Sequence, residues 1–186
     1  MIPVPKRFMI LLEAVLLVVL IAVVASPLSL PEGSVTGLDG GVGRLDNWDE
    51  LEGLPPLQRA TYLLGDVYCH QMADRSYELN GNQMPFCTRD LGLLAGAALG
   101  LGFFALLGRQ LPWTWLGLAL LPMIADGGLQ AITDYGSCNV VRALTGALAG
   151  SAVGIGAGML MQRRFSSPEE VPGPRKEDGQ ENRGSR

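Results

Sequence analysis

The chain is short of the residues that build soluble metal and nucleic-acid sites. It has one histidine and three cysteines among 186 residues, and no two cysteines form a CxxC pair, so the ligand spacing of a zinc finger or ribbon is missing. There is no basic excess either. The formal net charge is -4 and the pI about 5.0, which removes the electrostatic footprint of a nucleic-acid-binding protein. Charge of any sign is missing from whole stretches, and Leu91 to Gly108 carries none. Apolar residues, by contrast, make up 48% of the chain, and mean hydropathy is +0.25 despite a charged tail. That content excludes a chain disordered throughout and points to the membrane.

The apolar residues lie in four blocks. Residues 8–28 are broken only by Glu13, Leu91 to Gly108 is uninterrupted, Trp113 to Ala125 extends further if Asp126 and Gln130 lie in the same helix, and Val140 to Met161 is interrupted only by Arg142. About 20 apolar residues cross a hydrocarbon core of ~30 Å as a helix. The first block also carries signal-peptide features, with Lys6 and Arg7 ahead of it and Val23-Val24-Ala25 before Ser26, but its apolar run exceeds the usual ~7–15 residues of a signal core. The reading is an all-α polytopic membrane protein: a first helix at 8–28, an external loop over 29–90, a three-helix membrane core over 91–161 and a disordered tail over 162–186.

Orientation follows from charge. Lys6, Arg7, Arg109, Arg163 and Arg164 fall on one side of four crossings, whereas residues 29–90 hold ten acids against four bases. Short cytoplasmic segments collect Lys and Arg, so both termini are predicted cytoplasmic in a multi-pass protein of the cell membrane. Glu13 is expected to snorkel to the inner interface. Within the Pro- and Gly-rich external loop, Leu57, Ala60, Leu64, Val67 and Tyr68 recur at helical spacing, which predicts a short surface or re-entrant helix. Gly92, Gly96 and Gly100, and Gly146, Gly150, Gly154 and Gly158, recur every fourth residue. This is the small-residue spacing of closely packed membrane helices.

The polar residues collect at the predicted outer face: Cys69-His70-Gln71, Arg75-Ser76, Cys87-Thr88-Arg89-Asp90, Asp126 with Gln130, and Ser137-Cys138-Asn139 leading to Arg142. Asp126 and Gln130 share a helix face, as do Asn139 and Arg142. The short connection between the last two helices predicts that Asp126 meets Arg142. Ionisable groups at membrane depth are functional candidates, and a structural ion pair between two helices is the competing role. Cys69 and Cys87 lie in a compartment where oxidation is permitted, and a disulfide is the first reading of the pair. A reactive thiol with His70, or a metal site including Cys69, His70, Cys87 and Asp126, stays open. Adjacent Cys and His diverge on a helix, so no metal ligand set is assigned and the cofactor is unknown.

Cys69-His70-Gln71, Arg75-Ser76, Cys87-x-Arg89-x-x-Gly92, Asp126-Gly127-x-x-Gln130 and Ser137-x-Asn139-x-x-Arg142-x-x-Thr145-Gly146 resemble the membrane protein family catalogued as domain of unknown function 2085. The resemblance covers about Leu57 to Met161 and implies a membrane location and a shared polar site, without a reaction. The chain is also similar, by analogy, to VanZ-like membrane proteins, matching at Asp126, Gln130, Gly146 and Gly150, with Asn139 where that pattern has an acid.

The functional expectation is binding or modification of a lipid or polyprenyl-linked substrate at the outer leaflet. Arg75, Arg89 and Arg142 would grip a phosphate or carboxylate through forked donors, with Gln130 and Asn139 orienting it. Asp126 is the candidate general base; His70 and Cys69 are the other catalytic candidates. The alternatives are a structural or solute-transport protein with a disulfide-pinned loop, and a thiol redox or metal-handling protein. Membrane lipids are the expected partners, nucleic acid is not, and a homo-oligomer is compatible with the sequence.

Overall fold

The computed structural model describes residues 4–165, so the tail predicted to be disordered lies outside the described residues from Ser166 onward. In chain order the elements are α1 (Val4–Ser29), two short helices α2 (Trp48–Leu51) and α3 (Pro56–Tyr68), a 3-10 turn (Ala73–Arg75), a ribbon of β1 (Glu78–Leu79) and β2 (Asn82–Gln83), then α4 (Thr88–Leu107), α5 (Trp113–Ile132) and α6 (Asn139–Phe165). Four of them, α1, α4, α5 and α6, are long and apolar enough to cross a membrane. The 20 residues each of α4 and α5 extend about 30 Å at 1.5 Å per residue, the thickness of a hydrocarbon core. The chain is a polytopic, all-α membrane protein. α5 continues through Asp126 and Gln130, which places both inside the span.

Glycine costs roughly 1 kcal/mol relative to alanine in a water-exposed helix, yet α4 and α6 are rich in it. Lipid offers the backbone no alternative partner, so the helix persists, and the glycines serve packing instead. A Cβ at Gly92, Gly96 or Gly100 would collide with the carbonyls of Ala143, Ala147 or Ser151. A Cβ at Gly146, Gly150 or Gly154 would collide with those of Arg89, Leu93 or Ala97. The seam is therefore reciprocal, backbone against backbone along several turns. It ends where Phe104 covers Gly158. α1 and α5 flank it through Met9, Leu101, Phe104, Leu116, Ala152 and Met159, and the rings of Phe8 and Phe165 stack at 4.9 Å.

Glu13, expected to snorkel to the inner interface, packs against α4. Its carboxylate Oε1 lies 3.3 Å from where a Cβ on Gly102 would stand, and Oε2 is buried without a hydrogen-bond partner. The absence of a side chain at 102 leaves the space that draws it in.

Residues 30–87 fold over one end of the bundle as a small cap. Leu30, Val35, Leu38, Leu51 and Tyr62 form its apolar centre, but its organising groups are buried amides. Asn82 accepts the Val35 N–H at 2.9 Å and donates to the carbonyls of Pro27 and Pro31, each at 2.9 Å. Gln83 accepts the Leu38 N–H at 2.9 Å and donates to the Gln71 carbonyl. Gln71, buried with φ +45°, donates to the carbonyls of Tyr62 and Pro85, while Asn47 donates to Asp66 at 2.7 Å. Buried polar groups satisfied this fully specify one arrangement of the chain. Asn80 (φ +54°) and Gly81 (φ +67°) turn the ribbon, the residue pair such two-residue turns favour.

The helix predicted over Leu57 to Met72 is present but shorter, as α3 ending at Tyr68, with Cys69 its extended C-cap and His70 beyond it, and its faces are reversed relative to a soluble protein. Thr61, Tyr62, Gly65 and Asp66 are buried, while Leu57, Leu64 and Tyr68 are 67%, 51% and 69% exposed. Gly65 must be small because a Cβ there would collide with the Pro85 carbonyl.

Candidate functional site

The first turns of α4 and α6 and the last turns of α5 converge under the cap. Cys87 is the N-cap of α4, so Thr88, Arg89 and Asp90 project from its first turn. Arg89 crosses to α5, where its Nη2 donates to Asp126 Oδ2 at 2.5 Å and to Gln130 Oε1 at 3.1 Å. Gly127 leaves room for the crossing, since a Cβ there would stand 3.4 Å from Arg89 Nη1. The expected contact between Asp126 and Arg142 is therefore corrected: Asp126 pairs with Arg89. The seam brings the start of α4 beside both other helices, and Arg142 turns toward the cap. It is 5% exposed, and its Nη1 donates to Asn139 Oδ1 at 3.0 Å and to the Asp74 carbonyl at 3.5 Å. Asn139 also accepts from Thr88 Oγ1 at 3.3 Å and donates to the Ser76 carbonyl at 3.5 Å.

These contacts surround a cavity of about 230 Å³ between cap and helices, lined by Arg75, Arg89 and Arg142 together with Cys69, His70, Cys87 and Asp90. Among the described residues, the Nε donors of all three arginines are buried without a hydrogen-bond partner; Arg75 Nε has only a longer ionic contact, 3.7 Å from Asp74 Oδ2. Asp126, Gln130 and Asn139 stand behind this wall, holding the arginines. Asp126 Oδ1 and Gln130 Nε2 are likewise buried and unpartnered.

The two cysteines expected to form a disulfide are brought together but stand as free thiols. The Cys87 N–H donates to Cys69 Sγ at 3.2 Å, and the Cys87 thiol donates to Asp90 Oδ2 at 3.1 Å. A side-chain hydrogen bond with the Cys87 thiol, then burial, the Cys87 charge and nearby Asp90, push the Cys69 thiol up from its ordinary range. That same hydrogen bond draws the Cys87 thiol down. His70, one residue from Cys69, is exposed. Its ring stands outside the donor group that Cys69 forms with Cys87 and Asp90. In the reduced, chelator-treated protein, iodoacetamide is expected to modify exposed Cys138 and half-buried Cys87 before buried Cys69, because the thiolate is the reacting form. Peptide mapping of a short time course checks this, and early label on Cys69 contradicts it.

Asp90 belongs to the site, although in sequence it is named only within the polar cluster, without a role. Its signal was its position three residues after Cys87, which puts both side chains on one helix face. Gln71, although within the Cys-His-Gln motif, is spent on the cap's interior.

Residues 69–156 match the family described as Predicted membrane protein (DUF2085). An uncharacterised protein of Methanocaldococcus jannaschii is 34% identical over 97 residues, or 50% of this chain. This chain thus spans 62% of the length of that relative. No solved structure matches the chain significantly. The segment matched by the family begins at Cys69 and takes in every residue that lines or supports the arginine cavity except Val42 and Tyr68.

Proposed function

We propose that this chain, which matches the DUF2085 family over residues 69–156, binds an anionic headgroup of phosphate type in the arginine-lined cavity, at the outer face of the cell membrane. The observation that carries the reading is the set of three buried, unpartnered Nε donors on Arg75, Arg89 and Arg142 around one cavity. A buried donor left without a partner costs about 1–3 kcal/mol, more when charged, so a ligand that accepts from these groups is strongly favoured. Guanidinium forks match phosphate oxygens in pairs.

A lipid source fits the cavity's position. Its walls combine the first turns of two membrane helices with the cap, and α3 turns Leu57, Leu64 and Tyr68 outward beside it. The distribution of Lys6, Arg7, Arg109, Arg163 and Arg164 against the acid-rich cap supports the outward-facing orientation. Asp126 holds Arg89 in this reading, and base chemistry is not required of it.

The test is thermal stabilisation of the detergent-purified protein by short-chain phosphatidic acid, phosphatidylcholine and inorganic phosphate. Phosphatidic acid is expected to stabilise and phosphatidylcholine is not. Stabilisation by inorganic phosphate alone would assign the site to a free anion. Arg75 lies in the cap, outside the spans, and Arg75→Ala is expected to weaken phosphatidic acid binding about tenfold or more with little change in the unliganded melting temperature. No response to any of the three ends the proposal.

A further inference from the structure

We infer that Cys69, Cys87 and Asp90 form a binding site for a thiophilic divalent cation of the zinc type, with one coordination position left open to the cavity. The two sulfurs and one Asp90 oxygen lie within 4.8 Å of one another. Tetrahedral zinc holds sulfur at ~2.3 Å and carboxylate oxygen at ~2.0–2.2 Å, which sets ligand atoms roughly 3.3–3.8 Å apart. The Cys87–Asp90 separation is already 3.1 Å, so small side-chain rotations complete the triangle.

The backbone prepares these donors. Cys87 caps α4 and Asp90 follows in its first turn, on the same face. Cys69 ends α3 and is 3% exposed. The Cys87 N–H points at the Cys69 sulfur from 3.2 Å. A donor aimed at a sulfur is the outer support that metal thiolates receive. Charge is balanced as well: two thiolates and a carboxylate exceed a divalent cation by one negative charge, and Arg75, Arg89 and Arg142 line the same cavity. Three protein ligands with a fourth position open is the arrangement of zinc sites that bind an exogenous group. The missing CxxC spacing does not weigh against it, because the ligands come from the end of one helix and the start of another.

The donor set does not rest on the anion reading. A disulfide between the same sulfurs is the competing fate, and it would leave Asp90 without its sulfur partner. The test uses full-length protein in detergent, reduced, stripped with chelator and then titrated with cobalt(II). Stoichiometric binding is expected to give an intense thiolate-to-cobalt charge-transfer band and the visible bands of tetrahedral cobalt, all bleached by zinc. Cys87→Ser is expected to remove much of the charge-transfer intensity. Asp90→Asn is expected to keep the sulfur band and weaken cobalt binding roughly tenfold or more; Cys138→Ser is expected to change nothing. If a variant does not fold, the wild-type spectrum decides alone. No charge-transfer band in reduced wild type overturns the inference. So does a single alkylation site, at Cys138, in unreduced protein denatured with chelator present, since that means a disulfide. Phosphatidic acid stabilisation is read separately, so either proposal can fail while the other stands.

Discussion

Gly150→Val is expected to abolish the folded bundle. A Cβ at 150 already collides with the Leu93 carbonyl and reaches 2.9 Å from the Ala97 nitrogen, and neither backbone group can move without opening α4. Overpacking a core costs about 1–3 kcal/mol and sometimes more; here the obstruction is main chain on both sides, so the upper end or beyond is expected. The diagnostic is a reversal of sign. Gly117, also inside a helix, has nothing within 4 Å of its Cβ position. Gly117→Ala should therefore be neutral or stabilise by about 0.5–1 kcal/mol, whereas Gly150→Ala should destabilise. Melting temperatures in one detergent decide it. Equal responses at 117 and 150 would mean that the seam is not in close contact.

The second large effect is expected at Asp126. Asp126→Ala leaves Arg89 partly buried with Gln130 as its remaining side-chain acceptor. Removing one member of a buried pair costs about 3–5 kcal/mol. Loss of monodisperse protein, or a large drop in melting temperature, is the expected result. Replacing both members, Arg89→Met with Asp126→Leu, should recover most of the stability, since a well-packed apolar pair matches a buried ion pair in many proteins. The recovered variant should still fail to respond to phosphatidic acid, because it lacks one of the three guanidinium groups. Should Asp126→Ala fold as well as wild type and lose only that response, Asp126 acts on the ligand rather than on the bundle.

The spans were legible because a run of about 20 residues almost free of charge is what a bilayer crossing demands and what a water-facing surface rarely permits. The four-residue glycine spacing likewise announced close helices. The convergence of polar residues at one end was legible too, as the alternation of crossings dictates it. Which arginine meets Asp126 was not. Arg89 and Arg142 both sit in first turns, and only the rotation of α4 about the seam assigns one to α5 and the other to the cap. The cap's interior was hidden because apolar periodicity cannot mark a core whose central groups are Asn47, Gln71, Asn82 and Gln83. The Asn80-Gly81 turn went unread, although the residue pair marks such turns. The presence of α3 was plain in the apolar spacing but its end was not, and periodicity carries no sign: the same stripe can face a core or a bilayer. Asp90 stood in the polar cluster without a role until the fold set Cys69 beside it.

The bonds from Asn82 to Pro27 and Pro31, and from Asn80 to Leu30 at 3.0 Å, have a bearing on how the protein is made. They satisfy carbonyls at the end of α1, which no following turn of helix can do. The ribbon that supplies them is synthesised some fifty residues later. The end of α1 therefore lacks these partners until residues 78–83 have been made and have docked. Docking of the ribbon, rather than formation of the first helix, is the event that completes that end, and the arginine cavity cannot exist before it.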